Sequence, residues 1–492
     1  MSRNLTMLAD YYEFTMSYAY FNAGKEDEIA IFDMYFRNIP DKGGFAISNG
    51  LHSVIEYLEN LHFSDEDIEY FRSKKIYSEE FLEYLKNMKF SCDVWAVPEG
   101  SIIFPNEPIV TVKGPIVQAS ILETMILLSI NHQSLIATKA NRIVRAANGR
   151  PVMEFGSRRA QGADAANLGA RAAYIAGCSG TADTYADQVY GVPALGTMAH
   201  SFITMFDTEY EAFVAYANTF PDNCTLLVDT YDVLKSGVPN AIKVFDEVLK
   251  PLGFRPKGIR IDSGDIAYLS KQARKMLDEK GYEDCSIVAS NSLDEYKIQE
   301  LWIQGAKLDS FGVGENLITA KSDPVFGGVY KLSAIERNDQ IEPKIKISEN
   351  VEKITTPGMK KTYRIYAKDS NKAIADLICL YDEEIDESKP LTIFHPTHTW
   401  KRMTIKDYYI KNIQEKIFKK GKLVYEIPTI EEVREHCENS VNELWDEYKR
   451  FDQAHIYKVD LSKKLWTLKT SLINTLRNET EQSFIDTINR EM

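Results

Sequence analysis

The sequence predicts an α/β fold centred on a parallel sheet, and two patterns carry this prediction. From about residue 140 the chain contains short apolar runs, each of which ends in a polar turn and leads into a helical pattern. The later runs begin 22 to 32 residues apart, which is the length of one βα unit. The runs lie at 151–155, 226–228, 258–261, 286–289 and 308–311.

The polar turns favour closure of this sheet into a barrel. Each run is followed at its carboxyl end by polar or glycine residues, at 156–158, 229–232, 262–265, 291–294 and 312–314. In a barrel such loops converge on one mouth, where active sites are built. In an open doubly wound sheet they spread along an edge, and only those near a switch point contact a ligand. We therefore expect an irregular parallel α/β barrel.

The flanking segments predict a second α/β domain built from the N- and C-terminal parts of the chain. Residues 28–36 alternate as a strand does, and 51–61 have helical periodicity. A β-rich stretch begins after residue 331, and the tail from 429 is helical in pattern. We expect an N-terminal α/β domain at 1–135, the barrel at 136–335, a β-rich segment at 336–428 that returns to the N-terminal domain, and a helical segment at 429–492.

Composition and charge exclude several classes of protein. The net charge of −14 argues against nucleic-acid binding, although a few arginines and helix N-termini can still bind a small anion. The lysine-rich stretch 401–422 is either a phosphate-facing surface or, as we prefer, a solvated helix face. Membrane-length apolar segments and a signal peptide are missing from the sequence, and the six cysteines stand singly. We expect a cytoplasmic enzyme with reduced thiols that binds no membrane.

Two turns carry groups that suit a phosphorylated sugar. The turn at 262–265 places carboxylates at a strand end, where they fit ribose hydroxyls or Mg²⁺ bridging to a diphosphate. Alternatively, Asp262 and Ser263 cap the next helix; we leave this open for Ser263 and favour ligand binding for Asp262, because Arg260 lies on the same strand face. Gly312 and Gly314 would let backbone N–H groups approach a phosphate, but glycine turns without any ligand are common.

Two further segments offer an aromatic ring and a nucleophile. Phe155 could stack on a flat anion that pairs with Arg158, although a core phenylalanine beside surface arginines explains the segment slightly better on local evidence. His200 lies between an apolar run and a helical pattern. A single histidine is more often structural than catalytic, but an acidic neighbour such as Asp229 would fix its tautomer and raise its nucleophilicity.

Taken together, ordered sequence blocks closely resemble nicotinate phosphoribosyltransferase in its long bacterial form, a type II phosphoribosyltransferase. The blocks are LADYYEFTM at 8–16, FRNIP at 36–40, EFGSRR at 154–159, GVPALGTMAHSF at 191–202, LVDTYD at 227–232, IRIDSGD at 259–265, FGVGEN at 311–316 and LWTLK at 465–469. Each block alone is weak evidence. Their occurrence together and in one order, over nearly the whole chain, makes the resemblance specific.

The resemblance implies transfer of a phosphoribosyl group from 5-phosphoribosyl-1-diphosphate to nicotinate, which gives nicotinate mononucleotide and diphosphate in NAD salvage. It implies that ATP drives the reaction by phosphorylating His200, whose ring Asp229 would orient. It also implies Mg²⁺ at Asp262 and a homodimer in which Tyr12 of a neighbouring subunit covers the pyridine ring. The implied substrate-binding residues are Tyr12, Phe155, Arg158, Thr181, Arg260, Asp262, Ser290, Asn291, Gly312, Gly314 and Glu315.

Substrate choice depends on one position in this resemblance. Relatives that use nicotinamide carry an aspartate where this chain has Ala182, and a negative charge there would repel a carboxylate. Its absence, with Arg158 available, favours nicotinate, unless the alignment moves Asp183 into that position. Asn291 also departs from the aspartate of those relatives. A nicotinamide or quinolinate phosphoribosyltransferase, or a non-catalytic ligand-binding relative, remains an alternative.

Overall fold

The computed structural model describes residues 4–350, 353–398 and 400–491, of which 479–491 are described as helical backbone only. The chain divides into two compact units. The terminal unit consists of Met1–Ser134, Val325–Thr429 and His436–Met492, and the central unit consists of Leu135–Pro324 and Ile430–Glu435.

The first part of the chain mixes short strands with helices. Its elements are α1 Tyr11–Asn22, β1 Ile29–Tyr35, β2 Ala46–Ile47, α2 Leu51–Glu59, α3 Asp65–Lys74, α4 Glu79–Asn87, β3 Asp93–Ala96, β4 Ile102–Ile103, β5 Val110–Pro115, α5 Ile116–Ser120 and α6 Glu123–Ala146. The expected strand at 28–36 and helix at 51–61 are confirmed as β1 and α2.

The central part alternates strands with helices. Its elements are β6 Val152–Glu154, α7 Ala163–Ile175, β7 Gly180–Thr181, α8 Thr184–Tyr190, α9 His200–Thr204, α10 Glu209–Thr219, β8 Thr225–Leu227, α11 Val238–Val244, β9 Gly258–Ile261, α12 Ile266–Asp278, β10 Ser286–Ala289, α13 Glu295–Ile303, β11 Ser310–Val313 and α14 Glu315–Ile318. All five predicted apolar runs form or overlap strands.

These central strands form one parallel sheet in the order β7-β6-β11-β10-β9-β8. Side chains such as Ile259, Ile261 and Ile287 are fully buried, as parallel strands covered on both faces require. The predicted α/β fold with a parallel sheet is therefore confirmed. Closure into a barrel is not, because no pairing among the described residues joins β7 to β8.

The last part of the chain is rich in antiparallel strands. Its elements are β12 Val329–Arg337, β13 Gln340–Pro343, β14 Lys360–Ala367, β15 Ala373–Leu380, β16 Leu391–Phe394, β17 Arg402–Ile405, β18 Tyr408–Asn412, β19 Glu415–Lys419, β20 Lys422–Leu423, α15 Ile430–Asn442, β21 Lys458–Leu461 and α16 Lys463–Glu491. The tail, predicted to be helical, thus contains a strand between its two long helices.

The terminal unit contains two large sheets, with strand orders β13-β12-β1-β5-β3-β19-β20 and β17-β16-β21-β15-β14-β18, and the small pair β2-β4. In the first sheet β1 pairs with β12, so that Ala30 lies opposite Ile335. Because these residues are far apart in sequence, the segment after residue 325 completes a sheet that the N-terminal segment begins.

The lysine-rich stretch 401–422 corrects a prediction. We expected a solvated helix face, but the stretch forms β17 to β20. Ile417 and Phe418 are buried while Lys411 and Lys419 are exposed, so that apolar residues of these strands pack inside the protein and these lysines face solvent. None of the described helices is long and apolar enough to cross a membrane.

Candidate active site

The carboxyl ends of the central strands collect almost all the predicted site residues. They lie near the ends of β7, β9 and β11, on the loops after β6, β8, β9, β10 and β11 and at the start of α9, and parallel strands bring such strand ends and loops to one edge of the sheet. The exception is Tyr12, which lies on α1 in the terminal unit and is 43% exposed.

His200 is the first residue of α9 and is held by two neighbours. Its Nδ1 lies 3.0 Å from Thr230 Oγ1, and its Nε2 lies 3.9 Å from Asp262 Oδ2. The side chain is 43% exposed. The hydrogen bond to Thr230 fixes the ring and leaves Nε2 as the nitrogen open to a ligand.

Asp229 does not make the predicted contact with His200. One of its carboxylate oxygens, Oδ2, accepts a hydrogen bond of 2.6 Å from Ser263 Oγ, and the other, Oδ1, is buried without a partner in the described part of the chain. Adjacent side chains of this loop point in different directions, and Thr230 rather than Asp229 reaches the ring. Sequence alone could not choose between neighbours on one loop.

Arg260 extends from β9 toward the segment that precedes His200. Its Nη2 donates to the carbonyl oxygen of Met198 at 2.7 Å, whereas its Nε is buried and has no partner among the described residues. Burial lowers the pKa of the guanidinium, and the nearby charges of Asp262 and Asp229 oppose that shift. Arg260 therefore retains an unused donor inside the site.

The capping interpretation of the turn after β9 is wrong. Asp265 caps α12, since its Oδ1 accepts the N–H of Tyr268 at 2.9 Å. Asp262 instead accepts a hydrogen bond from the buried hydroxyl of Ser290, and Ser263 donates to Asp229. Both side chains of the turn therefore belong to the network between strand ends.

Asn291 follows Ser290 in a left-handed backbone conformation with φ of 96°, and it is exposed. Such a conformation is uncommon outside glycine. Arg158 is also exposed, on a short 3₁₀ turn at Ser157–Arg159, and it forms no ion pair within the described ranges.

The two glycines of β11 and its loop have a packing role. A Cβ at Gly312 would lie 2.6 Å from the Phe155 ring, and one at Gly314 would lie 3.1 Å from the Phe155 carbonyl oxygen. Glycine is therefore needed for Phe155 to lie directly over β11. A phosphate-binding role for these glycines stays a prediction. Glu315, which follows them, is paired with Lys321 at 2.6 Å.

Glu154 is a residue that sequence reasoning missed. Its fully buried carboxylate accepts the N–H of Gly156 and the hydroxyl of Thr181, the latter at 2.6 Å. Burial raises the pKa of this carboxyl to about 7. The Thr181 hydroxyl donates to Glu154 and accepts the N–H of Asp183, so that its predicted substrate contact through this oxygen would use the remaining lone pair.

Unpaired polar atoms mark the interior of the site. Besides Asp229 Oδ1 and Arg260 Nε, the hydroxyls of Thr197 and Ser157 are buried without a described partner. Buried polar atoms are nearly always hydrogen-bonded, and each exception costs about 1–3 kcal/mol. These four atoms, on β9, on the loops after β6 and β8 and just before α9, are thus available to pair with a polar ligand.

Three family models match successive parts of the chain. They are the nicotinate phosphoribosyltransferase N-terminal domain at residues 7–131, the nicotinate phosphoribosyltransferase family at 151–372 and the C-terminal domain at 359–469. The chain belongs to the nicotinate phosphoribosyltransferase family.

Curated relatives extend this likeness over nearly the full length. Nicotinate phosphoribosyltransferase of Bacillus subtilis (strain 168) is 44% identical over 97% of this chain and 97% of that protein. The mouse protein of the same name is 31% identical over 95% of this chain and 96% of its own.

Solved structures agree with the fold. The crystal structure of human nicotinic acid phosphoribosyltransferase matches with a TM-score of 0.83 at 28% identity, covering 95% of this chain and 100% of that one. Nicotinate-nucleotide pyrophosphorylase from Pyrococcus furiosus matches with a TM-score of 0.68 at 22% identity, covering 89% and 96%. At that identity the second match supports the fold alone.

The sequence resemblance predicts that position 182 affects the choice of substrate. Ala182 is exposed, and Asp183 is engaged as the N-cap of α8, where its Oδ1 accepts the N–H groups of Tyr185 and Ala186. The only carboxylate at this turn is thus bound to the backbone of α8.

Proposed function

We propose that this chain transfers the phosphoribosyl group of 5-phosphoribosyl-1-diphosphate to nicotinate, giving nicotinate mononucleotide and diphosphate in NAD biosynthesis. One observation carries the proposal: an aromatic ring, an arginine with an unused buried donor and two carboxylates meet at one sheet edge. The names of the relatives agree with this chemistry.

Nicotinate would bind between Phe155 and two unpaired donors. The pyridine ring would stack on Phe155, which lies against Gly312. The substrate carboxylate would accept from Arg260 Nε and Thr197 Oγ1, both buried without a described partner. Arg260 is bonded to Met198, the residue after Thr197, so the two donors lie on neighbouring segments.

The same donors favour nicotinate over nicotinamide. A neutral carboxamide would offer the unused Nε of Arg260 only a neutral acceptor, which makes a weaker hydrogen bond than a carboxylate does. An acceptor for the amide N–H₂ is also missing at Ala182, because Asp183 is bound to the start of α8.

The sugar diphosphate would occupy the edge formed by the loops after β9, β10 and β11. Asp262 lies among hydroxyl and imidazole neighbours, and Asn291 is exposed beside it on the next loop. We propose that Asp262 also holds Mg²⁺ together with the diphosphate. The described residues contain no cluster of three or more potential ligands, which fits an ion held by one or two carboxylates plus substrate phosphates. Bound there, Mg²⁺ would neutralise the charge of the leaving diphosphate.

We further propose that ATP phosphorylates His200 at Nε2. With the proton on Nδ1 donated to Thr230 Oγ1, the Nε2 lone pair is free to attack the γ-phosphorus. The new N–P bond forms as the bond to the ADP oxygen breaks, and ADP leaves with the electron pair. Asp262, at 3.9 Å, would stabilise the positive charge that develops on the ring.

The remaining expectations belong with this proposal. They are closure of the sheet into a barrel, a cytoplasmic location and a homodimer with shared sites. Tyr12 is exposed on α1, which is compatible with its predicted contact to a neighbouring subunit's pyridine.

A labelling experiment tests the function and the phosphorylated residue together. The protein is incubated with γ-labelled ATP alone, and acid-labile label is mapped to a peptide; product formation is then measured with nicotinate and with nicotinamide. We expect label on the peptide that contains His200, nicotinate mononucleotide as the product and no coupled ATP use in His200→Ala.

The matched control is His62→Ala, which changes an exposed histidine of the terminal unit and should keep both label and product. If His200→Ala still hydrolyses ATP at the parent rate in step with product, His200 is not the phosphoacceptor. If the parent converts nicotinamide but not nicotinate, the substrate assignment is wrong.

A further inference from the structure

The loop between β10 and α13 contains two consecutive residues in a left-handed backbone conformation. Asn291 has φ of 96° and Ser292 has φ of 49°, and both residues are exposed. Residues other than glycine rarely adopt positive φ, and such a conformation persists only where surrounding groups enforce it. The shape of this loop is therefore set by the groups that contact it.

The side chain of Asn316 contacts this loop from the neighbouring strand. Asn316 lies on α14, which follows β11, and β11 pairs with β10 in the parallel sheet. Its Nδ2 donates to the carbonyl oxygen of Ser292 at 2.9 Å and to that of Leu293 at 3.2 Å. Because both partners are carbonyl oxygens, only the NH₂ end of the amide can serve here. Asn316 therefore joins two adjacent strand-end segments at the point where the backbone is strained.

Lys297 makes the other bond to this loop. Its Nζ donates to the carbonyl oxygen of Ser292 at 2.8 Å, and the two lone pairs of that oxygen allow it to accept from Asn316 as well. Within the described ranges, the hydrogen bonds to residues 291–293 come only from these two side chains. Lys297 holds the loop from α13, the helix that follows it, whereas Asn316 attaches it to a different element.

The two ends of the loop are fixed by other groups. At its start, the N–H of Ser290 donates to the carbonyl oxygen of Ile261 at 3.0 Å, and the Ser290 hydroxyl donates to Asp262. At its end, Asp294 caps α13 by accepting the N–H of Lys297 at 2.8 Å. Removal of the Asn316 amide would therefore loosen the backbone between these ends without detaching either end.

We propose that Asn316 is a positioning residue for the sugar diphosphate. By holding residues 291–293 in their left-handed shape, it fixes the place of Asn291 relative to Asp262 on the adjacent loop. Both of these residues belong to the edge at which the sugar diphosphate would bind, so this inference rests on the proposed function. Asn316 acts through the loop and not through a contact with the substrate.

Asn316→Ala tests this role. We expect the Kd of 5-phosphoribosyl-1-diphosphate, measured by calorimetry with Mg²⁺ and without nicotinate or ATP, to rise about tenfold, because the loop loses two hydrogen bonds. In steady-state kinetics the KM for the sugar diphosphate should rise similarly. The KM for nicotinate should stay within about twofold of the parent value, since Phe155 and Arg260 belong to other strands and loops.

The matched control is Asn218→Ala. Asn218 is an exposed asparagine of the central unit whose Nδ2 donates to a backbone carbonyl of its own helix, that of Val214, at 3.0 Å. The control therefore removes the same side chain and the same kind of hydrogen bond at a distance from the loop in sequence. It should bind the sugar diphosphate as the parent does.

A second substitution separates positioning from general stability. Glycine adopts positive φ without steric cost, so in Ser292→Gly the loop can keep its shape with less support from Asn316. The effect of Asn316→Ala on the Kd should therefore shrink from about tenfold in the parent to about threefold or less in the Ser292→Gly background. A merely structural role of Asn316 in α14 would give the same factor in both backgrounds.

Three results would overturn the proposal. They are an unchanged Kd in Asn316→Ala, an equal rise of both KM values, and an effect that Ser292→Gly does not reduce. Failure of the proposed function gives a different result, namely a parent that binds the sugar diphosphate but forms no nicotinate mononucleotide; the calorimetric comparison would then still decide the role of Asn316. If the parent binds no sugar diphosphate, both proposals are wrong.

Discussion

Two regions of this protein carry cationic side chains that an anion could contact, and their charged groups are arranged in opposite ways. At the strand ends of the central unit, positive and negative groups alternate at short range, with Asp262 Oδ2 3.9 Å from His200 Nε2 and Asp229 close enough to Arg260 to influence its pKa. The terminal unit contains a cavity of about 680 Å³, which we call the lysine cavity, and among the described residues only one of its six cations makes a salt bridge with a carboxylate, namely Lys360 with Asp33. The six cations are Arg37, Lys42, Lys360, Lys401, Lys458 and Lys469. The first region contains His200, which we propose as the nucleophile, on the same group of strand-end loops as the carboxylates of Asp229 and Asp262.

The difference teaches what each region can do with an anion. A site that alternates charges can hold a carboxylate, sugar hydroxyls and a leaving diphosphate at different points, because each finds a group of suitable charge. A cavity whose charged side chains are mostly cations attracts anions without such a division of roles.

The largest expected effect concerns the stability that each buried lysine contributes. Lys360→Met should lower the free energy of unfolding by about 3–5 kcal/mol, because it leaves Asp33 buried without its partner. Lys469→Met should be neutral or stabilising, since Lys469 has no carboxylate partner to abandon. Urea denaturation at pH 7 without phosphate measures both values.

The two methionine variants control for each other, because each replaces a buried lysine of the same cavity with the same residue. If Lys469→Met destabilises as strongly as Lys360→Met, then Lys469 is balanced in the protein alone. In that case the charges of the lysine cavity would be balanced within the protein, as those of the central site are, and the two regions would not differ in this respect.

The next effect distinguishes two arginines within the central site. Arg260→Ala should raise the KM for nicotinate by about 100-fold, because it removes a buried charged donor. Arg158→Ala should also raise the KM for nicotinate more than that for the sugar diphosphate, but by less, since its side chain is exposed. Steady-state kinetics with each substrate varied in turn gives both numbers.

The reverse ranking would move the carboxylate contact from the buried arginine to the exposed one. A larger effect of either change on the sugar diphosphate would reassign that arginine to the phosphates. Arg159→Ala provides the control, since Arg159 is an exposed neighbour on the same 3₁₀ turn.

The sequence predicted the parallel sheet well, because parallel strands that are buried on both faces consist of short continuous runs of apolar residues. The runs at 258–261 and 286–289 coincide with β9 and β10. The stretch 401–422 misled, since lysines that alternate with apolar residues over short strands also suit a polar helix face. Closure of the sheet could not be read from the runs, because closure depends on a pairing between its first and last strands.

For the site, sequence predicted which loops matter but not which atoms meet. Loop position alone brought His200, Asp229 and Asp262 to one edge, yet the partner of the His200 ring is Thr230. Thr197 and Glu154 were missed because a hydroxyl without a partner, or a carboxyl buried under a turn, leaves no mark in the sequence. The lysine cavity was missed because its residues come from three distant segments.

The smallest expected effect is a pH dependence that belongs to the central unit. The pKa of Glu154 is about 7 in the folded protein because burial disfavours its charge, against about 4.5 when the group is unperturbed. The folded state therefore holds this proton more tightly than the unfolded state does. Its contribution to stability is fully present below about pH 4.5 and is lost as the pH rises through 7.

Glu154→Gln should remove that dependence while keeping an acceptor for the Gly156 N–H and a partner for the Thr181 hydroxyl. Relative to the parent, the variant should gain about 2.5 kcal/mol in free energy of unfolding between about pH 5 and pH 8. Denaturation series at several pH values measure the gain, with the exposed Glu283→Gln as control. A difference that stays constant with pH would mean that Glu154 is already charged at pH 5. In that case the charged form of Glu154 would be stabilised by more than its two hydrogen bonds. The contrast with the lysine cavity, most of whose cations lack a carboxylate partner, would then be larger.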